Sequence, residues 1–310
     1  MDSKTDALPE GFSARAPVWD DADAVADLIS ACILVDGGEG STTTEELLDD
    51  WQDVDLATEA IVVSAPDGRI AGYADVVNRA YVVVSVYGYV HPDYRGRGVG
   101  AYLVAWGESW TRDRIPHAPE HARVVVQHYV SASNESARRL LEGAGYAPVR
   151  GVYTMAIDLE QAPPPPEWPE GLKVRTFVPG YDERATHEAV EDAFRDVWGR
   201  PYSPFERFVK RTEHEVFDPS LWFLAWDGPE IAGTALCKLV AGQGWVDVVG
   251  VRRPWRGRGL GLALLRHAFG EYHRRGIKRV GLSVDAESVT GAPRLYSRAG
   301  MHITNDYIVY

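Results

Sequence analysis

The chain has 310 residues, of which 45% are apolar and 25% charged, a balance typical of a folded globular protein long enough for two domains. It carries 32 Lys and Arg against 45 Asp and Glu, and an acidic chain without a long basic stripe argues against a nucleic-acid partner. No apolar segment has the length of a membrane span and the first residues lack the pattern of a signal peptide, so the sequence predicts a cytoplasmic protein without a membrane partner. Cys32 and Cys237 lie in different halves, which indicates isolated thiols and not a disulfide framework or a zinc site.

The predicted elements occur twice in the same order. The first series is a helix over residues 20–31, strands over 59–64, 70–77 and 82–90, a helix after a glycine-rich string, a strand over 124–129 and a last helix ending at Gly145. The second series is a helix over residues 181–198, strands over 221–226, 231–239 and 245–251, a helix after a second glycine-rich string, a strand over 280–284 and a last helix ending at Gly300. Strands that alternate with helices predict an α/β fold built around a mixed sheet.

A proline-rich segment separates the two series. Residues 162–170 contain four successive prolines, which cannot continue a helix or a central strand and favour an extended spacer. The sequence therefore predicts domains over 1–160 and 171–310, joined by a linker over 161–170.

The net charge is unevenly distributed between the predicted domains. Residues 1–160 hold 12 Lys and Arg against 26 Asp and Glu, so nearly all of the net negative charge lies in the first half. The ordinary interpretation of this acidic charge is a solvated protein surface. The alternative is that the charge creates an electrostatic field that attracts a cationic amine.

The most informative pattern is the string that each series contains. Residues 94–101 read Tyr-Arg-Gly-Arg-Gly-Val-Gly-Ala and residues 255–262 read Trp-Arg-Gly-Arg-Gly-Leu-Gly-Leu. Unpaired N–H groups at a helix start attract anions, and glycines allow a phosphate to come close to them, so both strings predict a pyrophosphate site. No Gly-Lys-Ser/Thr sequence follows, which excludes a P-loop, and the second string lacks the spacing of a dinucleotide fingerprint.

The two strings and the segments after them resemble the acetyl-CoA-binding motif and the following strand and helix of the GNAT N-acetyltransferase superfamily. The tandem layout is similar to that of the mycothiol synthases. The resemblance implies two GNAT-like domains, each a mixed, mostly antiparallel sheet flanked by helices, and acetyl-CoA as the acyl donor. It implies donor-binding roles in the first half for Val90, Arg95, Gly96, Arg97, Gly98, Val99, Gly100 and Asn134. The corresponding positions of the second half are Val249, Val251, Arg256, Gly257, Arg258, Gly259, Leu260, Gly261 and Ser288.

The resemblance also implies direct transfer of an acetyl group to a small-molecule amine, with an acid for the thiolate and a base for the amine. Tyr296 matches the family's acid position, where the first half has Leu141. Asp247 is the candidate base, and counting from the glycine strings places Val86 opposite it in the first half. We therefore expect the second half to be catalytic and the first to be degenerate.

Some alternatives remain open from the sequence. Asn134 matches an Asn common in the family, which keeps donor binding by the first half possible, or it is a helix N-cap, a role that Ser288 could share. The acceptor could be that of a mycothiol synthase or an aminoglycoside. A protein of another class, a non-catalytic CoA-binding or interaction protein built on two degenerate domains, is the competing hypothesis. The histidines show no metal-ligand spacing, so no metal is expected.

Overall fold

The computed structural model describes residues 7–39, 41–197, 202–213, 217–288 and 290–310. The chain divides into two compact units, the first made of Met1–Val152 and Thr304–Tyr310 and the second of Tyr153–Ile303. Within the described residues, no helix combines the length and the apolar character that crossing a bilayer requires.

The first unit contains helices on both faces of a sheet. Its strands are β1 (Ser13–Arg15), β2 (Ala60–Ser64), β3 (Ile70–Arg79), β4 (Val83–Val90) and β5 (Val125–Ser131). Its helices are α1 (Ala22–Val35), α2 (Thr44–Trp51), α3 (Leu56–Glu59), α4 (Val99–Arg114) and α5 (Glu135–Gly143).

The second unit repeats this arrangement. Its strands are β6 (Arg150–Asp158, of which the first three residues belong to the first unit), β7 (Lys173–Thr176), β8 (Trp222–Asp227), β9 (Glu230–Val240), β10 (Gln243–Val251) and β11 (Arg279–Asp285). Its helices are α6 (Glu183–Ala193), α7 (Phe205–Thr212), α8 (Leu260–Arg274) and α9 (Ala292–Arg298). The last strand of the chain, β12 (His302–Val309), lies mostly in the first unit.

Each sheet is mixed and mostly antiparallel, as the sequence predicts. The strand order is β1-β2-β3-β4-β5-β12 in the first unit and β6-β11-β10-β9-β8-β7 in the second. The pairs β4–β5 and β10–β11 are parallel, and the other pairs whose register is defined are antiparallel. The glycine-rich helix of each unit starts directly after the first strand of its parallel pair, so it begins at the place where the two parallel strands separate.

Alternating burial along the strands creates two cores in each unit. In the first unit, α4 covers one face of the sheet through Val99, Leu103 and Trp110, while α1 and α2 cover the other face. In the second unit, α8 and α9 pack on one face and α6 and α7 on the other. Each sheet is therefore covered on both sides, which explains the long apolar runs of its central strands.

The compact units differ from the predicted domain ranges at the end of the chain. The sequence places residues 304–310 in the second domain, because the sequence of a strand does not identify the strand with which it pairs. In the structure they complete the first unit, where Tyr307, Ile308 and Val309 pair with β5.

The proline-rich segment belongs to the second unit and has no helix or strand over residues 162–169, as its sequence predicts. It packs along α8, since Glu167 accepts a hydrogen bond from Arg266 at 3.0 Å and the Trp168 ring lies edge-on to His267. The segment that we interpreted as a linker therefore also covers a helix.

Candidate functional site

Both glycine strings form the same left-handed entry into a helix. Gly96 and Gly98 have φ angles of 77° and 92°, and Gly257 and Gly259 have φ angles of 76° and 85°. This conformation is strained for residues with a Cβ atom, so glycine is required here. Gly98 and Gly259 are the N-caps of α4 and α8, and neither helix has a side chain capping its first N–H groups. Each helix start therefore presents unpaired N–H donors of the kind that bind phosphate.

The third glycine of each string has a packing role. A Cβ atom at Gly100 would lie 3.0 Å from Leu140 of α5, and one at Gly261 would lie 3.1 Å from Leu295 of α9. Val99 and Leu260, the residues before these glycines, are buried in the cores. These four residues therefore determine how the glycine-rich helix packs in its unit. Contacts with the acyl donor are left to the backbone that precedes them.

The first arginine of each string binds the protein itself. In the second unit, Arg256 donates from Nε to the carbonyl oxygen of Val251 at 3.0 Å and from Nη2 to that of Ala193 at 2.9 Å. In the first unit, Arg95 donates from Nε to the carbonyl oxygen of Val90 at 3.4 Å. These arginines tie the end of a strand to the end of the first helix. The second arginines, Arg97 and Arg258, are exposed beside the helix start.

A carboxylate lies between the ends of the parallel strands in the first unit. Asp36, the C-cap of α1, forms a two-pronged ion pair with Arg95, with N–O distances of 2.7 and 3.1 Å. Its Oδ2 atom also accepts a hydrogen bond from Asn134 at 2.9 Å. Asn134 in turn caps α5, since its Oδ1 atom accepts from the N–H of Ala137. Both polar groups of the Asn134 amide are therefore used within the unit.

The backbone of Asp36 completes this bridge. Its carbonyl oxygen accepts hydrogen bonds from Ser133 and, at 3.4 Å, from Ser131 at the end of β5. One turn earlier on α1, Cys32 donates from Sγ to the carbonyl oxygen of Val90 at the end of β4, at 3.2 Å. The end of α1 thus spans the opening between β4 and β5.

The second unit has a longer opening between its parallel strands. Among the described residues, β10 pairs with β11 only at Gly244 and Trp245, whereas β4 pairs with β5 over four residues, Val83 to Val86. From residue 246 onward, the edge of β10 that faces β11 has no strand partner in the described part of the chain. Val249 and Val251 lie on this stretch and pack against the core around α8.

Asp247 lies at an irregularity in β10. The register with β9 shifts between Val246 and Val248, so Asp247 is an additional residue in the strand. Its carboxylate accepts a hydrogen bond at 3.1 Å from Arg211 of α7, whose guanidinium lies over the Trp222 ring. The register of β3 with β4 is continuous from Gly72 to Arg79.

This register changes the internal comparison of the two units. When the two units are aligned at their glycine strings, the strand pair Val76–Val86 of the first unit falls at the same position as the pair Cys237–Val246 of the second. Val86 therefore corresponds to Val246, and the first unit has no counterpart of Asp247. Counting along the sequence had placed Val86 opposite Asp247, because a count cannot detect a bulge.

Tyr296 lies in α9 with 8% of its surface exposed. Burial raises the pKa of its hydroxyl to about 12, so the group holds its proton at neutral pH. It belongs to the same core as Val246 and Leu260, whereas Asp247 is held on the side of α7. Leu141, 3% exposed, occupies the equivalent place in the first unit.

Two further positions of the second unit that the sequence singles out are Ser288 and the segment before α7. Ser288 is not a helix cap, since Gly291 caps α9, and the Ser288 hydroxyl lies 3.0 Å from that of Thr290. The segment over residues 196–202 concentrates aromatic and charged residues that could line an acceptor pocket, and its residues 198–201 lie outside the described part of the chain. Asp196 at its start pairs with Arg253.

Sequence reasoning missed Asp36 and Arg211. Each is far in sequence from its partner, 59 residues for Asp36 and Arg95 and 36 residues for Arg211 and Asp247. No motif contains them, and only the fold brings them to the site.

The comparisons with known proteins agree with this geometry. The model of the acetyltransferase (GNAT) family matches residues 24–146 and again residues 185–301. A mycothiol acetyltransferase of Thermobispora bispora is 34% identical over 218 residues, which cover 68% of this chain and 70% of that protein. A mycothiol acetyltransferase of Geodermatophilus obscurus is 31% identical over 256 residues, which cover 77% and 78% of the two chains.

Solved structures extend the likeness to the whole chain. A GCN5-related N-acetyltransferase from Sphaerobacter thermophilus shares 58% identity and a TM-score of 0.90, covering 98% of this chain and 96% of that one. A tandem GNAT protein from the clavulanic acid biosynthesis pathway has a TM-score of 0.71 at 15% identity, covering 96% and 97% of the two chains. At that identity, the second likeness shows the fold alone.

Proposed function

This chain belongs to the GNAT family of acetyltransferases and is an N-acetyltransferase with two tandem domains, and we propose that its second unit transfers an acetyl group from acetyl-CoA to the primary amine of a small molecule. The observation that carries the proposal is the difference between the two openings. The opening between β4 and β5 is bridged by Asp36, whereas β10 has a long unpaired edge in the described residues, with Asp247 beside it.

The start of α8 and the edge of β10 suit the acyl donor. The uncapped N–H groups after Gly259 attract the pyrophosphate, and the exposed Arg258 adds a positive charge next to them. The peptide groups of this edge near Val249, which have no strand partner in the described residues, are available to the amide groups of the pantetheine arm, which would bind like an added strand. The Val251 carbonyl at the end of the edge already accepts a hydrogen bond from Arg256.

Asp247 and Tyr296 supply the two proton-transfer roles. The neutral amine attacks the thioester carbonyl carbon, and the Asp247 carboxylate accepts the proton that the amine loses. The carbon–sulfur bond then breaks, and the Tyr296 hydroxyl, which burial keeps protonated, gives its proton to the departing CoA thiolate. The products are an acetamide and free CoA, and no other reactant is required.

The first unit is proposed to support the fold without turnover. It has Leu141 in place of the acid and no counterpart of Asp247. Its net negative charge also disfavours the approach of a polyanionic donor. The relatives that are mycothiol acetyltransferases make the acetyl acceptor of those enzymes the first compound to test, followed by a panel of aminoglycosides and simple primary amines.

Calorimetric titration with acetyl-CoA tests this division between the units. Gly98→Glu and Gly259→Glu form a matched pair, since both glycines are left-handed N-caps and Glu opposes a pyrophosphate by its size and its charge. We expect the wild type to bind one equivalent, Gly98→Glu to bind it unchanged, and Gly259→Glu to lose it. Two equivalents in the wild type, or loss of binding through Gly98→Glu, would show that the first unit is a donor site.

A further inference from the structure

One face of the first unit's sheet carries a set of polar side chains that acetyl transfer in the second unit does not use. Asp75 on β3 stands directly opposite Tyr87 on β4, and Ser85 on β4 stands opposite Gln127 on β5. Residues that are opposite each other, or two apart on one strand, share a face of the sheet. We call this set the Asp75 cluster, made of Tyr73, Asp75, Ser85, Tyr87, Gln127 and Tyr129.

Hydrogen bonds join Tyr73 to Asp75 and join Gln127 to Ser85 and Tyr129. The indole of Trp51 donates to the Tyr73 hydroxyl at 2.9 Å, and that hydroxyl donates to Asp75 Oδ2 at 2.8 Å. Gln127 donates to Ser85 at 2.8 Å and to Tyr129 at 3.1 Å. Asp75 Oδ1 is buried and has no hydrogen-bond partner among the described residues. A buried carboxylate oxygen without a donor is costly, so its retention needs an explanation.

The second unit provides an internal control for that explanation. The pairs Gly72–Val90 and Gly233–Val251 precede the two glycine strings at equivalent positions. Three residues along each strand from these pairs, Asp75 and Tyr87 in the first unit correspond to Leu236 and Val248 in the second. The same fold is therefore built there with apolar residues, and the Asp75 cluster is not a requirement of the architecture.

The surroundings of Asp75 favour a cation. Burial and the nearby charge of Asp50 raise the pKa of the Asp75 carboxyl to about 7. Beside it, the rings of Tyr87 and Tyr129 are stacked with centroids 5.1 Å apart and planes within 11° of each other. Aromatic faces and edges next to a carboxylate are a common environment for organic ammonium groups. Asp75 as a residue keeps part of its surface exposed, so the cluster is not sealed from solvent at this position.

We propose that the Asp75 cluster is a binding site for a small primary ammonium ion, with Asp75 Oδ1 as its anionic partner and the Tyr87–Tyr129 stack beside it. The ammonium N–H groups supply the donors that Oδ1 lacks. This site is distinct from the opening between β10 and β11 and does not depend on turnover there. An acetylated, uncharged product would not be retained by it.

The affinity of the site depends on pH in a defined direction. The ligand requires an ionised Asp75, so binding weakens as the pH falls below about 7. The other ionisable groups that face the cluster are Asp50 of α2, Tyr73 and Arg79 of β3, Tyr87 and Tyr89 of β4, and Tyr129 of β5. Burial raises the pKa of the Tyr87 and Tyr89 hydroxyls, so these two groups stay neutral across the range.

Titration calorimetry with butylammonium chloride tests the proposal, with 1-butanol as the uncharged probe. We expect saturable 1:1 binding of butylammonium at pH 8, weaker binding at pH 5.5, and no binding of 1-butanol. Asp75→Asn keeps the shape of the side chain and its acceptor for Tyr73, and it should weaken binding by roughly 10-fold or more, as expected for the loss of a charge-assisted hydrogen bond.

Three matched variants make the outcome decisive. Asp113→Asn changes the same charge on the exposed side of α4, across the sheet from the cluster, and should leave the affinity unchanged. Tyr87→Val installs the residue type that the second unit has at this position and should weaken binding. Asp247→Asn should leave the affinity for butylammonium unchanged. Absence of saturable binding, equal affinity in the wild type and Asp75→Asn, or loss of binding through Asp247→Asn or Asp113→Asn, would overturn the proposal.

Discussion

Tyr296 and Leu141 stand at the same position of the last helix in the two units, and only one of them can donate a proton. If Tyr296 protonates the departing thiolate, Tyr296→Phe should lower kcat by roughly 10²-fold or more while donor binding is unchanged. Steady-state release of CoA thiol measures this. Tyr181→Phe is the control, since Tyr181 is 78% exposed and should keep wild-type turnover. A Phe variant as fast as the wild type would remove Tyr296 from the reaction.

The Arg211–Asp247 pair predicts a coupling between two residues. Asp247→Asn should reduce kcat/KM strongly because the base is lost, and Arg211→Gln should reduce it less because the carboxylate loses only its orienting partner. In the double variant, the Arg211 change should add almost nothing, since there is no longer a carboxylate to position. Kinetics of the four proteins give the coupling directly. Independent, additive effects would mean that Arg211 does not act through Asp247.

Asp75 gives a prediction about stability that requires no ligand. Its folded pKa of about 7 lies above the ordinary value of 3.8, so the stability it contributes is complete below pH 4 and is lost as the pH rises towards 7. Each unit of pKa separation is worth about 1.4 kcal/mol. Asp75→Asn should therefore raise the melting temperature at pH 8, by roughly 10 °C, and have little effect at pH 4.

Melting curves between pH 4 and 8 measure this difference, with Asp113→Asn as the control for charge change. A gap between Asp75→Asn and the wild type that is the same at all pH values would show that Asp75 does not titrate in this range.

At the residue scale, the sequence could predict those residues whose role depends on their immediate neighbours in the chain. Tyr296, Gly98 and Gly259 are recognisable because a motif of adjacent residues surrounds them. Asp36, Arg211 and Asp75 are not, because their importance comes from partners on other elements. Arg95 and Arg256 are part of the motif, yet their guanidinium groups donate hydrogen bonds within the protein, to Asp36 and to the Val251 carbonyl oxygen respectively.

At the scale of elements, the last strand of the chain belongs mostly to the first unit, although the sequence predicts it in the second domain. Val309 and its neighbours pair with β5, and the backbone of Tyr310 exchanges two hydrogen bonds with His128. The Tyr310 hydroxyl adds contacts with Arg138 and Glu142. The first unit is therefore incomplete without the end of the chain.

Deleting residues 304–310 should destabilise the first unit even though the deletion is far from it in sequence. Hydrogen exchange should increase in β5 and α5, because β5 becomes an edge strand and α5 loses its contacts with Tyr310. Tyr310→Phe, which removes only the hydroxyl contacts, should have a smaller effect. Unchanged exchange in β5 after the deletion would show that β12 is dispensable for the first unit.

Most strands and helices follow their sequence patterns because alternation and helical spacing are local properties. The strand predicted over 245–251 is correct in position, but its bulge at Asp247 is not visible in the pattern. Strand partners and bulges depend on hydrogen bonds between distant segments, and these set both the opening beside β10 and the placement of β12.

At the scale of the whole molecule, one architecture occurs twice with different surfaces. The first unit has the acidic charge, the bridged opening and the polar sheet face. The second has the longer unpaired stretch of strand edge in the described residues, together with Asp247 and Tyr296. Duplication allows such a division, because one copy can keep the reaction while the other acquires or loses binding groups. The family, the donor motif and the expectation of a catalytic second half follow from the sequence, whereas the bridge at Asp36, the bulge at Asp247 and the hydrogen bonds of the Asp75 cluster are seen only in the registers and contacts.

Turnover by the matched glycine variants tests the central claim, that the second unit alone carries acetyl transfer. Release of CoA thiol is measured with acetyl-CoA and the best acceptor from the amine panel, for the wild type, Gly98→Glu and Gly259→Glu. We predict that Gly259→Glu abolishes turnover and that Gly98→Glu retains it near the wild-type rate. Retained turnover in Gly259→Glu, or its loss in a folded Gly98→Glu protein, would contradict the account.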